Sequence, residues 1–172
     1  VFYDDKRTIK DNAGIISSVK NTLDSTQVSG AIDRFGGAAR FSRIVAAIDA
    51  ADTAINRNVS KLTMRKDLIA VEDTPASYEI CFEQALAVVP STPSVGSTGF
   101  TQAGDSNVYY FEDDGEGNLI SYYFSDTGVK NIADFNFGTV DYEIGELKIG
   151  YNTAVTITGT VLPSSTIQIR AN

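Results

Sequence analysis

Two hydrophobic periods follow one another along the 172 residues of this chain. In the first sixty positions apolar side chains recur every three or four residues, and beyond Asn58 they recur every second residue. A spacing near 3.6 lines one face of a helix, whereas a spacing of two lines one face of a strand. Over 11–23, Ile16, Val19 and Leu23 share a stripe with Asp11 or Asn12 available as N-cap, which predicts a helix. Over 38–55, Phe41, Ile44, Val45, Ile48 and Ile55 fall on one face with alanines between them, and Gly36-Gly37 interrupts the chain just before. A second helix is predicted there.

The alternating region opens with Leu62 and Met64, then sets Tyr78, Ile80 and Phe82 against Glu79, Cys81 and Glu83. Asp73-Thr74-Pro75 is a turn signal, so these two runs are expected to pair as a hairpin. Residues 90–99, rich in Ser, Thr, Gly and Pro, read as a surface loop. A second hairpin is predicted where 108–111 and 119–124 flank Asp113-Asp114-Gly115-Glu116-Gly117-Asn118, and a third, tight one around Gly145. Further strands are expected over 155–161 and 167–169. Helices first and strands later predict an α+β fold, a helical N-terminal third followed by an antiparallel β-rich region with hairpins. The loop divides it into a helix-rich segment with the first hairpin, 1–90, and a β-rich domain, 91–172.

Charge and composition remove several classes of function. Twenty-two acidic against 14 basic residues leave a net charge of -8, the wrong sign for displacing counterions from a nucleic acid. No stretch approaches the ~20 apolar residues of a membrane helix, so neither nucleic acid nor membrane is an expected partner. The chain has no histidine, which rules out a Ser-His-Asp triad and any imidazole metal ligand. Its single cysteine, Cys81, can form no intrachain disulfide, and it is expected to be a buried, inert thiol.

Three carboxylate groupings invite chemistry. Glu112, Asp114 and Glu116 before Gly117 are spaced like the oxygen ligands of a calcium loop, but Tyr123 stands where that loop needs a bidentate glutamate. A plain hairpin turn is expected instead. Asp49 and Asp52, three apart, could share a helix face for acid and base work, with solvated side chains and a cap near a helix break as the simpler alternative. Glu79 and Glu83 lie about 13 Å apart along a strand, beyond the roughly 5–9.5 Å of a glycosidase pair. Gly36-Gly37 precedes a helix without the rest of a phosphate-binding motif. No catalytic, cofactor-binding or metal residue is therefore assigned, no cofactor is expected, and the chain is expected not to be an enzyme.

The run Val28-Ser29-Gly30-Ala31-Ile32-Asp33-Arg34-Phe35-Gly36-Gly37, then Phe41-Ser42-Arg43-Ile44-Val45-Ala46-Ala47-Ile48-Asp49 and Leu62-Thr63-Met64-Arg65, resembles the wedge subunit of contractile-tailed (T-even-type) phage baseplates and the wider baseplate J-like family. Gly138-Thr139-Val140-Asp141-Tyr142-Glu143-Ile144-Gly145-Glu146-Leu147 resembles a second block of that family, a Gly-Thr-Ile/Val-Asp-Tyr-x-x-Gly hairpin. The resemblance implies a structural virion protein of the tail baseplate, assembled in the host cytoplasm. It would multimerise into a ring around the tail hub, as a homo-oligomer (dimer or ring), and bind other baseplate wedge proteins. Since that family's wedge proteins are longer and the chain begins without Met, a C-terminal portion is expected. Such a role needs adhesive surfaces rather than a reactive pocket. The candidate assembly contacts are Phe41, Ile44, Val45 and Ile48 on the second helix and Tyr109, Tyr110, Tyr122 and Tyr123 on the second hairpin. The alternative is a carbohydrate- or receptor-binding β module of a phage tail using Tyr109 or Tyr122. A carboxylate hydrolase built on Asp49 and Asp52 is a third reading.

Overall fold

The computed structural model describes residues 1–25, 40–88, 92–161 and 165–172. They form two compact units, Val1–Leu62 and Thr63–Asn172.

In the first unit, β1 (Phe2–Tyr3) pairs antiparallel with β2 (Ile55–Arg57), and among the described residues two α-helices lie between them in sequence. Helix α1 spans Asn12–Leu23, where the Asp11 carboxylate accepts the Gly14 N–H at 2.8 Å and so satisfies one of the free donors of the first turn. Its most deeply buried residue is Ile15, while Ile16 stays half exposed. Helix α2 spans Phe41–Ala50, shorter than the predicted 38–55. Its end has a local cause: the Asp52 carboxylate accepts the Ala54 N–H at 3.0 Å and the Asp52 carbonyl accepts that of Ile55, so the backbone leaves the helix and Ile55 enters β2. Ala38 and Ala39, the predicted start of this helix, lie outside the described residues, as do Gly36-Gly37 and the Val28–Gly37 run of the resemblance.

The second unit is a sheet that nearly closes on itself. Its strands are β3 (Met64–Leu68), β4 (Pro75–Ala76), β5 (Tyr78–Cys81), β6 (Val95–Ser97), β7 (Phe100–Gln102), β8 (Tyr109–Asp113), β9 (Asn118–Phe124), β10 (Lys130–Asp141), β11 (Glu146–Ile149), β12 (Val155–Thr160) and β13 (Ile167–Ala171). Antiparallel pairing runs β4-β12-β7-β8-β9-β10-β11-β5. The two ends of this path, β4 and β5, are separated only by Ser77, whose hydroxyl donates to the Gly150 carbonyl at 2.7 Å. One short segment thus joins both ends of a barrel-like ring. A side branch, β3-β13-β6, extends from β8.

Inside the ring Phe100, Phe111 and Phe137 pack with centroids 5.7–6.3 Å apart, among Leu119, Leu147, Ile149 and Ile157. Burial of so much apolar surface, at roughly 25 cal/mol per Å2, is what holds the ring shut.

This architecture corrects the predicted fold class. Among the described residues the protein is mostly β, 41% strand against 16% helix, rather than a helical N-terminal third followed by a β-rich region. Among the described residues of the first sixty, helical spacing marks two short α-helices, and the strands β1 and β2 bracket them. The predicted first hairpin is also corrected: β3 pairs with β13 and β5 with β11, so the two runs flanking Asp73-Thr74-Pro75 never meet. Within the predicted 90–99 loop, β6 buries Val95, and just beyond it Phe100 is buried at the start of β7. Pro90 and Ser91 lie outside the described residues. β3 and β5 join the later strands in one sheet, and all of them lie in the unit Thr63–Asn172. The hairpins around 113–118 and Gly145 form as predicted.

Candidate functional site

The β8–β9 hairpin sorts its aromatic residues by the two-residue period of a strand. Tyr109, Phe111, Asp113, Leu119 and Ser121 are buried on the inner face, and Tyr123 packs against the core beside them. Tyr109 meets Tyr123 edge-on at 5.7 Å, and its hydroxyl donates to Asp105. That bond, followed by burial, pushes the Tyr109 hydroxyl above its ordinary range.

The outer face carries Tyr110, Tyr122 and Phe124. Tyr110 and Tyr122, directly opposite in register, stack at 5.6 Å and 22°. Phe124 closes the group, 5.9 Å from Tyr110 and 5.6 Å from Tyr122. On the neighbouring strand Ile132 pairs with Tyr122, and the Lys130 ammonium sits 3.8 Å over the Tyr122 ring while also bonding Glu112. A cation over an aromatic face, held by a carboxylate, fixes the ring in place. Phe124 is half exposed and Ile132 43% exposed, so the cluster presents apolar surface to solvent.

Of the eight predicted contacts, then, Tyr110 and Tyr122 share one outer patch, whereas Tyr109 and Tyr123 face inward. In α2, Phe41 is exposed, Ile44 and Val45 are half-buried, and Ile48 is buried within its own unit. Phe124 and Ile132 were missed, although the same alternation that places Tyr122 outward places Phe124 with it. Ile132 carries no such local signal, because β10 brings it there through long-range pairing.

The block Gly138 to Gly145 proves to be a set of fold constraints. A Cβ on Gly138 would lie 2.2 Å from the Lys148 carbonyl oxygen, so only glycine lets β10 approach β11. Asp141 accepts the N–H groups of Glu143 and Ile144 at 3.0 and 3.3 Å and shapes the turn. The Tyr142 hydroxyl donates at 2.7 Å to one oxygen of buried Asp113, whose other oxygen accepts the Val95 N–H at 2.6 Å. Burial, then the bond to Asp113, pushes the Tyr142 hydroxyl far above its ordinary range. Gly145 has φ 69° and no room for a Cβ beside the Gln84 carbonyl.

The remaining candidates are occupied by local structure. In the acidic turn, Asp114 accepts the N–H groups of Glu116 and Asn118, and Glu112 pairs with Lys130, so the carboxylates do not converge on a calcium position. Asp49 accepts from the Asn58 amide, while Asp52 pairs with Lys10 at 2.8 Å, a bond that lowers its pKa. Cys81 is exposed, which corrects the expected buried thiol: it shares the outer face of β5 with Glu79. Ligand atoms of Glu79, Cys81 and Glu146 lie within 4.8 Å of one another. Lys148 holds Glu146 at 2.8 Å, and Tyr151 donates to Glu79 at 3.2 Å. Partial desolvation, then the charges of Glu79 and Glu146, push the thiol up and away from the thiolate that binds metal or attacks.

No protein-family model, no curated protein and no solved structure matches the chain. Among the described residues, no helix is long and apolar enough to cross a membrane.

Proposed function

We propose that this chain is a structural virion protein, a baseplate wedge component that multimerises into a ring around the tail hub and binds other wedge subunits, without enzymatic activity. The observation that carries the reading is the outer face of β8, β9 and β10, where Tyr110, Tyr122, Phe124 and Ile132 form one solvent-facing cluster. Aromatic residues flanked by a charged pair are the composition of an interface centre, since their large rigid surfaces lose little entropy on docking. The resemblance to wedge proteins supplies the biological context. Its second block is made of residues that set strand approach and turn shape, the kind of pattern proteins of one fold share for packing reasons.

Sedimentation velocity over a range of concentrations tests the reading, together with co-purification with other wedge subunits. The parent chain is expected to self-associate or to be retained by those subunits, and Tyr122→Ser with Phe124→Ser to lose both properties. A chain that stays monomeric at high concentration and binds none of them refutes it.

A further inference from the structure

The outer face that carries the aromatic cluster continues in register well beyond it. Lys130 and Ile132 on β10 stand beside Phe124 and Tyr122 on β9, and these beside Tyr110 and Glu112 on β8. Glu112 lies directly opposite Gly96 on β6, Gly96 opposite Arg170 on β13, and Arg170 opposite Arg65 on β3, with Asp67 bonded to Arg65 on the same side. On these strands the outward Lys130, Arg170 and Arg65 outnumber Glu112 and Asp67, although the chain as a whole has a net charge of -8. Two copies of so acidic a chain repel one another, and least where they present this face.

Gly96 interrupts the outward side chains of that face. Packing does not require a glycine there: a Cβ would meet only the Phe111 carbonyl oxygen, at 3.9 Å, and the backbone is not left-handed. Its pairing with β13 runs without a bulge. A glycine inside a strand weakens it, and where neither a bulge nor a bend explains one, it marks ground that another backbone can approach. Glu112 borders this bare strip and holds Lys130, whose ammonium lies 3.8 Å over the Tyr122 ring. The ammonium has three hydrogens and the carboxylate four acceptor sites, so their mutual bond leaves both with capacity to spare. Their side chains are still 37% and 19% exposed.

We infer that this face docks on a second copy of itself about a two-fold axis, each copy's Glu112 taking the other's Lys130 as well as its own, and each chain lying close over the other's Gly96. Symmetry and charge select that partner. A two-fold contact requires a patch that complements itself, and an ion pair turned about the axis sets each charge beside its opposite. Four alternating charges keep two partners apiece, which offsets the desolvation that a single pair would suffer on docking. Around them Phe124 and Ile132, both half exposed, leave water. The inference rests on the assembly reading above and adds to it the partner, the symmetry and the groups that meet.

Sedimentation velocity of the full chain and three variants tests it. Lys130→Glu makes the middle of the face acidic and Glu112→Lys makes it basic, so each alone is expected to self-associate at least about tenfold more weakly than the parent. Mixed in equal amounts, the two are expected to form a heterodimer, which misfolded variants could not do. Gly96→Thr adds bulk to the bare strip with a residue that strands favour, so it is expected to melt at or above the parent's temperature yet self-associate at least about tenfold more weakly. A mixture that forms no heterodimer, or a Gly96→Thr chain that associates as the parent does, would overturn the inference while the assembly reading stands. A parent chain that stays monomeric but is retained by other wedge subunits also overturns this inference alone. One that neither self-associates nor is retained overturns both.

Discussion

The inner and outer faces of the β8–β9 hairpin have similar aromatic content and opposite consequences. On the inside, Phe111 is 1% exposed and meets Phe100 and Phe137, and its neighbours Asp113 and Ser121 are buried with it. On the outside, Tyr110, Tyr122 and Phe124 make equally close ring contacts with one another, and Lys130 lies over Tyr122. Ring contact therefore does not separate a core residue from a surface one. What separates them is whether a second layer lies over the ring, and that is decided by strand parity and by which way the sheet curls.

Substitutions can break the comparison at four strengths. Phe111→Ala is expected to cost about 3–5 kcal/mol, because it removes an inner ring and leaves a cavity the phenylalanine cluster cannot fill. Chemical denaturation measures it, and a loss under about 1 kcal/mol would mean the inner face is not the core. Asp113→Asn or Tyr142→Phe is expected to cost about 1–3 kcal/mol, since each leaves a buried partner with an unmatched polar group. Tyr142 also gives a pH signature. Its hydroxyl holds its proton more tightly in the folded chain than in the unfolded one, where tyrosine titrates near ~10. The stabilisation is complete below that pH and is lost as pH rises from there toward the folded value. Tyr109, Tyr122 and Tyr151 are shifted in the same direction, so Tyr142→Phe is expected to shallow the alkaline loss of stability rather than abolish it.

The outer substitutions are expected to act on association more than on folding. Tyr122→Ser should cost about 0.5–1.5 kcal/mol of stability by losing its stacked partner, yet weaken self-association by an order of magnitude or more. If stability falls as far as in Phe111→Ala, the two faces are equivalent and the comparison fails. Lys130→Gln should change stability by under about 1 kcal/mol, because the lysine end of its ion pair with Glu112 stays open to solvent. A salt titration of the parent and this variant, giving the same small difference at high ionic strength, would show that ring contact rather than charge dominates there.

Much of the second unit was legible as alternation. The Tyr109–Phe124 region and the turn at Gly145 announced themselves, because glycine and aspartate at the turns and a two-residue period beside them act over short stretches of chain. What stayed hidden was long-range. Val95 and Phe100 sit among Ser, Thr and Gly that look like loop, but Gly99 is there because Val108 and Val161 leave no space for a Cβ. Ser121, flanked by Ile120 and Tyr122, gives no sign that it lines a cavity. The predicted second helix ran too long because its period was extended past Asp52, whose own side chain stops the helix. Tyr109 and Tyr123 were grouped with Tyr110 and Tyr122 by residue type, although parity already divided them.

The segment running through Pro75, Ser77 and Cys81 has a mechanical consequence. It touches β12 with its first half and β11 with its second, through two and four residue pairs respectively, so this single stretch is a clasp rather than a full-length stave. Parting its first half from β12 breaks two residue pairs, against five between β8 and β9, and hydrogen exchange should be faster at Ala76 than at Phe111. One strip thus serves two seams, so a change at Ser77 is felt at both.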